Sequence, residues 1–441
     1  MTKPELPRIT PLDPWIAHKI ACQNGLTREA LEAYQLETLR ETLRLARLKS
    51  RFYQKRLDNA PHYVSSLRDL THFPFTTAQD ICEQGLQFLC VSQDEIQRVV
   101  TLDTSGTTGN PKRLYFTQED QELTTDFFHV GMSTFTEPGD KVLILLPCER
   151  VGSVGDLLAV ALQRLGAHPI KHGVVWDISE TLAVMSEESV DCLVGIPTQV
   201  LALARHSDGL KLKSALLTTD HVPDAIARAV ECAWGCSVYN HYGMTEMGLG
   251  GGVECQVRCG YHVREADLYF EIINPITGEP VAEGETGEVV FTTLTRRGMP
   301  LIRYRTGDIS RWLTGECPCG AALKTLERVK SRVSGYVAVG DQWHLTMADL
   351  DEALFSVAGV LDFTAAISRE GTQDCLRTEV RVVEAANDNI AVAIDAALES
   401  IPAVRLARTS RQLDVVTAIQ NTRSVVARPI KRTIVDRRTS A

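Results

Sequence analysis

The sequence predicts an α/β fold: a large N-terminal region with parallel sheets flanked by helices plus a β subdomain, and a small α+β C-terminal domain. Three observations predict it. Short, wholly apolar runs alternate with helical patterns up to about residue 240, as in parallel sheets covered on both faces. After residue 255 the strand-like runs follow one another without helices between them. From about residue 334 strands and helices alternate again over about a hundred residues, a normal size for one domain.

In order along the chain, residues 27–50 read as an amphipathic helix. Thr27 can cap it, and Leu36, Leu39, Leu43 and Ala46 recur at helical spacing. Residues 98–102 and 114–117 read as strands, which holds the loop between them in a hairpin. Residues 124–135 read as a helix, 141–147 (KVLILLP) as a buried strand and 153–165 as a helix. Residues 190–196 and 215–218 are further buried strands, followed by a helix over 223–234 and a short strand over 237–240. Residues 268–274, 287–293 and 308–312 form the β subdomain. The last region reads strand, helix (346–355), strands (363–368 and 377–383), helix (389–400) and strand (413–417).

Composition excludes several classes. The 441 residues are 44% hydrophobic and 23% charged, with a formal net charge of −10, an ordinary globular balance. Basic residues cluster only in the tail around Lys431-Arg432 and Arg437-Arg438, so a nucleic-acid partner is not expected. No apolar run approaches the ~18 residues that span a membrane, and Met1-Thr2-Lys3-Pro4-Glu5 does not open a signal peptide. Twelve cysteines without a signal point to reduced thiols or metal ligands in a cytoplasm.

The hairpin loop carries the first chemistry. Thr104-Ser105-Gly106-Thr107-Thr108-Gly109-Asn110-Pro111-Lys112 sets two glycines and four hydroxyls before a lysine. Small residues let backbone N–H groups approach a polyanion, and the lysine adds positive charge, which suits phosphates. It is not a Walker A loop, because position 111 is proline where that motif needs glycine. The cluster Gly248-Leu249-Gly250-Gly251-Gly252 is not a dinucleotide fingerprint, because position 253 is valine. Two further segments follow. Tyr242-Gly243-Met244-Thr245-Glu246 offers an aromatic face, a hydroxyl and a carboxylate for Mg²⁺. Leu301-Ile302-Arg303-Tyr304-Arg305-Thr306-Gly307-Asp308 ends in an aspartate that can accept both hydroxyls of a ribose, or simply cap a turn.

These three segments, in this order, resemble the adenylate-forming superfamily of acyl-CoA synthetases, adenylation domains and luciferases. The stretches Leu36-Glu37-Thr38-Leu39, Ser50-Arg51-Phe52-Tyr53-Gln54-Lys55-Arg56-Leu57, Phe73-Pro74-Phe75-Thr76-Thr77 and Gly251-Gly252-Val253-Glu254-Cys255 narrow the resemblance to its phenylacetate-CoA ligase branch, over roughly residues 10–332. The resemblance implies ATP-dependent activation of a carboxylic acid to an acyl-adenylate, with loss of pyrophosphate and transfer to a thiol such as CoA. It implies that Thr104, Ser105, Gly106, Thr107, Thr108, Gly109 and Lys112 hold the β- and γ-phosphates. Tyr242, beside Asn240, His241 and Gly243, would stack on adenine, with Thr218-Thr219-Asp220 as the adenine wall. Thr245 would contact the α-phosphate, Glu246 would help bind Mg²⁺, and Asp308 and Arg332 would take the ribose. The expected domains are 1–332, with the nucleotide and acid sites, and 333–441, small and mobile. A homodimer is left open.

Cys255 and His262 are followed 55 residues later by Cys317-Pro318-Cys319, a pairing of Cys/His groups typical of structural zinc. The expected ligands are Cys255, His262, Cys317 and Cys319, with Cys259 as substitute; the alternative is a set of free buried cysteines. The branch is similar here.

The chain also departs from the superfamily. The hinge, usually Gly-Arg-x-Asp-Asp, reads Ser331-Arg332-Val333-Ser334, and Asp341-Gln342-Trp343-His344 stands where a glycine-rich segment lines the CoA tunnel. The slot of the late catalytic lysine is Ile430, with Lys431 one position on. Lys431 is either that catalytic group, stabilising charge between carboxylate and α-phosphate, or a solvated tail charge. The acid should meet the segments 146–155 and 247–252. Glu149 and Arg150 are either polar pocket groups or a solvated loop, and the glycines after Glu246 leave room for a flat ring, so an aromatic acid is expected. The alternatives are an adenylating enzyme that passes its acyl group to a carrier protein or other nucleophile without CoA, and a degenerate nucleotide-binding homologue.

Overall fold

The computed structural model describes residues 8–102, 111–371, 373–383, 389–422 and 432–438. Its α/β elements divide into two compact units. One comprises Met1–Pro138, Arg150–Gly166 and Asn240–Val329, the other Gly139–Glu149, Ala167–Tyr239 and Lys330–Ala441.

The first unit is built on the helix Arg28–Lys49. Thr27 caps it by accepting from the Ala30 N–H at 3.2 Å, and Leu31, Leu39, Leu43 and Ala46 are buried. Two polar residues share that buried face, and each donates to a backbone carbonyl: Gln35 to Glu265 at 2.7 Å and Thr42 to Leu294 at 2.7 Å. The helix covers a core in which Phe52 stacks on Phe88, together with Phe270, Phe291, Leu301 and Tyr304. The strands Leu268–Ile273, Gly287–Thr293 and Tyr304–Ser310 pair antiparallel in that order. The expected hairpin is present, with Arg98–Leu102 antiparallel to Lys112–Phe116 and Leu102 opposite Lys112.

The second unit contains four parallel strands in the order Ser214–Leu217, Cys192–Gly195, Lys141–Leu145, His168–Lys171. The first three are mostly apolar and buried, and the helices Pro197–His206 and Asp224–Trp234 join them in one apolar cluster, whereas the last strand, His168–Lys171, has exposed ends. The strands Leu413–Asn421, Gln373–Val382, Val360–Glu370 and Ile434–Asp436 form a second sheet, with one antiparallel pair flanked by parallel ones. A single apolar cluster runs from Leu143, Val200 and Trp234 to Leu354, Phe355 and Phe363.

Several boundaries differ from those expected. The helix expected over 124–135 runs Gln118–Met132, because Thr117 and Asp120 form a capping box six residues earlier. The strand expected over 308–312 is Tyr304–Ser310, with every second residue buried, so Asp308 sits inside it. The helices Ile178–Glu187, Pro197–His206 and Pro402–Thr409 and the strand His168–Lys171 were not foreseen. No helix among the described residues is long and apolar enough to cross a membrane.

Candidate functional site

The candidate site in the first unit begins where the hairpin delivers Lys112. Thr104, Ser105, Gly106, Thr107, Thr108 and Gly109, and likewise Lys431, lie outside the described residues. The strand Ser237–Tyr242 ends in a tight turn, then a single 3₁₀ turn over Thr245–Met247, closed by Gly248 in the left-handed region at φ 73°. Gly243 has no room for a side chain, since a Cβ there would lie 2.2 Å from the Leu249 carbonyl oxygen.

That turn brings Glu246 to Lys112, from 134 positions earlier, in a buried ion pair. The Tyr304 hydroxyl donates to the same carboxylate oxygen, Oε1, at 2.8 Å. Burial by itself pushes the Glu246 carboxyl up, but the Lys112 ammonium outweighs it and holds the group below the usual carboxylate range, with help from Tyr304. Glu246 is therefore an anion at neutral pH, paired with Lys112 at the start of the second hairpin strand.

Tyr242 and Asp308 meet as well. The Tyr242 hydroxyl donates to Asp308 Oδ2 at 3.0 Å, and burial, then the Asp308 charge, push the phenol well above its usual range. One face of the Tyr242 ring lies on Tyr261, centroids 5.6 Å apart at 25°. Asp308 is 6% exposed, and its own N–H donates to Thr306 Oγ1 at 3.0 Å. The adjacent Asn240 is engaged with the protein: its N–H and side-chain amide donate to Glu254 Oε2 at 2.8 and 3.2 Å, while Arg328 Nε donates to Glu254 Oε1 at 2.6 Å. His241 sets its ring about 6 Å from Phe127 and Phe128. Burial of the ring, then the Arg264 guanidinium, push its pKa down to about 4, so it is neutral at physiological pH.

In the second unit, the Thr218 N–H donates to the Gly195 carbonyl at 3.1 Å, and Thr219 has a positive φ of 77°. Asp220 Oδ1 accepts from the His221 N–H at 2.9 Å, and Arg332 lies in the two-residue strand Ser331–Arg332. Glu149 and Arg150 are exposed. The space over the glycines after Glu246 is taken by the protein itself: a Cβ on Gly250 would lie 2.4 Å from the Phe127 ring, and one on Gly251 2.7 Å from the Met247 sulfur.

The Cys/His residues converge in the first unit. One ligand atom from each of Cys255, His262, Cys317 and Cys319 lies within 4.8 Å of all the others, and all four residues are buried. Cys255 and Cys317 sulfurs are 3.7 Å apart, and Cys319 Sγ is 3.3 Å from His262 Nε2. The Cys255 thiol, and more weakly the His262 ring, hold the Cys319 thiol far below its usual range against the opposing effect of burial. Cys259 is exposed, 3.9 Å from Cys317 Sγ and outside this set.

Two contributors had no assigned role in the sequence reading. Tyr304 stands inside the Arg-Tyr-Arg-Thr-Gly-Asp segment, four positions before Asp308, so strand alternation places both on one face. Arg296 is buried and donates to the Glu246 carbonyl at 2.8 Å; nothing in its local sequence signals this.

Residues 63–294 match the profile of the AMP-binding enzyme family. The chain is 28% identical to a phenylacetate-coenzyme A ligase of Thermus thermophilus over 379 residues, 81% of this chain and 83% of that one. It is 30% identical to a phenylacetate-coenzyme A ligase of Pseudomonas putida, covering 65% of this chain and 68% of that one. In three dimensions it resembles a 2-hydroxyisobutyryl-CoA ligase in the postadenylation state, with TM-score 0.78 at 21% identity, over 93% of this chain and 91% of the other.

Proposed function

From the premise that the chain belongs to the AMP-binding enzyme family, we propose that it converts an aromatic carboxylic acid to its acyl-adenylate and then to a CoA thioester. It is an AMP-forming acid–CoA ligase. A carboxylate oxygen of the acid attacks the α-phosphorus of ATP in line, and pyrophosphate leaves with the electrons of the broken P–O bond. The CoA thiol, giving up its proton, then attacks the acyl carbon, and AMP leaves.

The observation that carries this reading is the meeting of Lys112 and Glu246. One comes from the phosphate-loop hairpin and the other from the Tyr-Gly turn, and an anion beside a loop cation suits a Mg²⁺-bound polyphosphate. Bound Mg²⁺ would neutralise the departing pyrophosphate, and Glu246 is the carboxylate that would hold it. Lys112 would then turn to phosphate with the residues Thr104 to Gly109. Tyr242 with Gly243, Asn240 and His241 would border the adenine, Thr245 would meet the α-phosphate, and Asp308 would take the ribose. Of the second unit, Thr218, Thr219, Asp220 and Arg332 keep the nucleotide roles that the resemblance implies. Lys431 is proposed as the adenylation lysine, carried by a mobile domain over 333–441.

The four-residue Cys/His set fits structural zinc. Tetrahedral zinc with bonds of about 2.3 Å holds its sulfurs about 3.8 Å apart, and the Cys255–Cys317 distance is 3.7 Å. Three thiols and an imidazole, all buried, would close the shell and leave the ion without a catalytic position. The reaction is assigned to the cytoplasm on the strength of the chain's free thiols.

Pyrophosphate release on mixing the protein with ATP, Mg²⁺ and a panel of aryl acids tests the first step. Nucleotide binding with no release for any acid overturns it. A second reading, transfer to a carrier protein or other nucleophile, is favoured by the non-acidic hinge Ser331-Arg332-Val333-Ser334. Adding CoA to preformed acyl-adenylate separates the two, because rapid thioester formation rejects the second.

A further inference from the structure

Three successive carbonyls of the turn that carries Glu246 each receive a buried side-chain donor. Arg296 Nη1 donates to the Glu246 carbonyl at 2.8 Å, Arg264 Nη2 to that of Met247 at 3.0 Å, and Thr124 Oγ1 to that of Gly248 at 2.7 Å. The three donors come from distant parts of the chain. The arginines also reach outward: Arg296 Nη2 donates to the Tyr115 carbonyl at 3.2 Å and Arg264 Nη1 to the Leu123 carbonyl at 3.2 Å. The turn is thus fastened to the strand that bears Lys112 and to the helix that follows it.

Both guanidinium groups lie against aromatic rings, Arg296 4.3 Å from the Phe116 centroid and Arg264 5.4 Å from that of Phe127. They are 6% and 4% exposed. Two buried cations are costly unless they are fully used, yet Arg264 Nε, Arg296 Nε and Asp267 Oδ2 make no hydrogen bond with the described residues. Asp267 Oδ2 is 3.9 Å from Arg264 Nε, too far for one. Asp120, Arg264, Asp267 and Arg296 line a cavity of about 10 Å³ beside Met247 and Gly248, the room of one water molecule.

We propose that Arg264 and Arg296, joined by one ordered water at their Nε groups and Asp267, are positioning residues that hold Glu246 in register with Lys112 for the metal–nucleotide complex. The water accepts from the two N–H groups and donates to the carboxylate, the complement that each lacks. Two acidic and two basic side chains line the cavity, so a neutral occupant fits better than an ion. The inference rests on the reading of Glu246 as the Mg²⁺ carboxylate.

The test is Arg296→Met, with Arg296→Lys as the conservative variant and Thr124→Val as a milder loss of one donor. Amide hydrogen exchange at 245–249 should rise about tenfold in Arg296→Met, as expected from losing a charge-assisted hydrogen bond. The Mg²⁺ concentration for half-maximal pyrophosphate release should rise about as much, with KM for the acid unchanged, and Arg296→Lys should restore most of both. A general loss of stability would not raise the Mg²⁺ requirement alone. A folded Arg296→Met with wild-type exchange and wild-type Mg²⁺ dependence overturns the proposal. If Arg296→Met does not fold, Thr124→Val and Arg296→Lys decide by the same two readouts. If the wild type releases no pyrophosphate, the reading of Glu246 fails, and exchange at 245–249 alone judges the clamp. A crystal structure at high resolution should place one water between the two Nε atoms; a cavity without density there overturns the hydrated link.

Discussion

Replacing Lys112 with methionine keeps the chain length and removes the charge that neutralises Glu246. The Glu246 side chain is 4% exposed and that of Lys112 18%. Breaking a buried pair from one side leaves an uncompensated charge and costs about 3–5 kcal/mol. The Tyr304 hydroxyl still serves the carboxylate and Lys112 is partly wet, so the expected loss is at the low end, about 3 kcal/mol near neutral pH. The sign of the pH dependence follows from the carboxylate. In the wild type the folded pKa of Glu246 lies below its ordinary 4.5, so the pair stabilises above that pH and fails only as pH falls through the folded value. Without Lys112, burial is the largest remaining influence and raises the folded pKa, so the variant loses stability as pH rises through it. The two proteins should therefore diverge as pH rises from about 5 to about 8. Urea unfolding at several pH values in that range measures the gap. The double variant Lys112→Met/Glu246→Leu, with neither charge, should recover to within about 1 kcal/mol of the wild type. A penalty independent of pH, or a double variant no better than the single, refutes the reasoning.

Tyr242→Phe removes the 3.0 Å bond to Asp308 and should cost about 1–2 kcal/mol in urea unfolding. Elemental analysis of the purified protein should find about one zinc per chain, and Cys319→Ser should lose most of it together with thermal stability, as expected for a closed structural site. Trp234→Ala should cost about 3–5 kcal/mol, since the side chain is fully buried and its indole N–H donates to Ser207 Oγ at 2.8 Å. Burial pushes the Asp351 carboxyl up to about 7 despite Arg432, so this group favours folding at low pH and that advantage disappears as pH rises through 7. Asp351→Asn should flatten the stability profile between about pH 4 and 7, and an unchanged profile would count against the buried carboxyl as its source.

The local elements were legible in the sequence because their causes are local. The run KVLIL reads as a buried strand and is one, and Thr27 ahead of leucines at helical spacing reads as a helix start and caps one. The hairpin around residues 103–111 and the order of three short motifs were enough to reach the right family, since each motif is a contiguous set of chemical groups. Helix starts were misjudged where a capping box, not an apolar period, sets the boundary, as at Thr117. Tertiary structure alone decided which groups meet. The set Cys255, His262, Cys317 and Cys319 is the exception, expected from residue type and spacing and brought together in the fold. Lys112 and Glu246 are 134 positions apart, and Arg296 reaches a carbonyl 50 residues away. Such pairings are fixed by the packing of whole elements, because the stabilisation of a buried charge depends on what surrounds it in space and leaves no periodic trace along the chain.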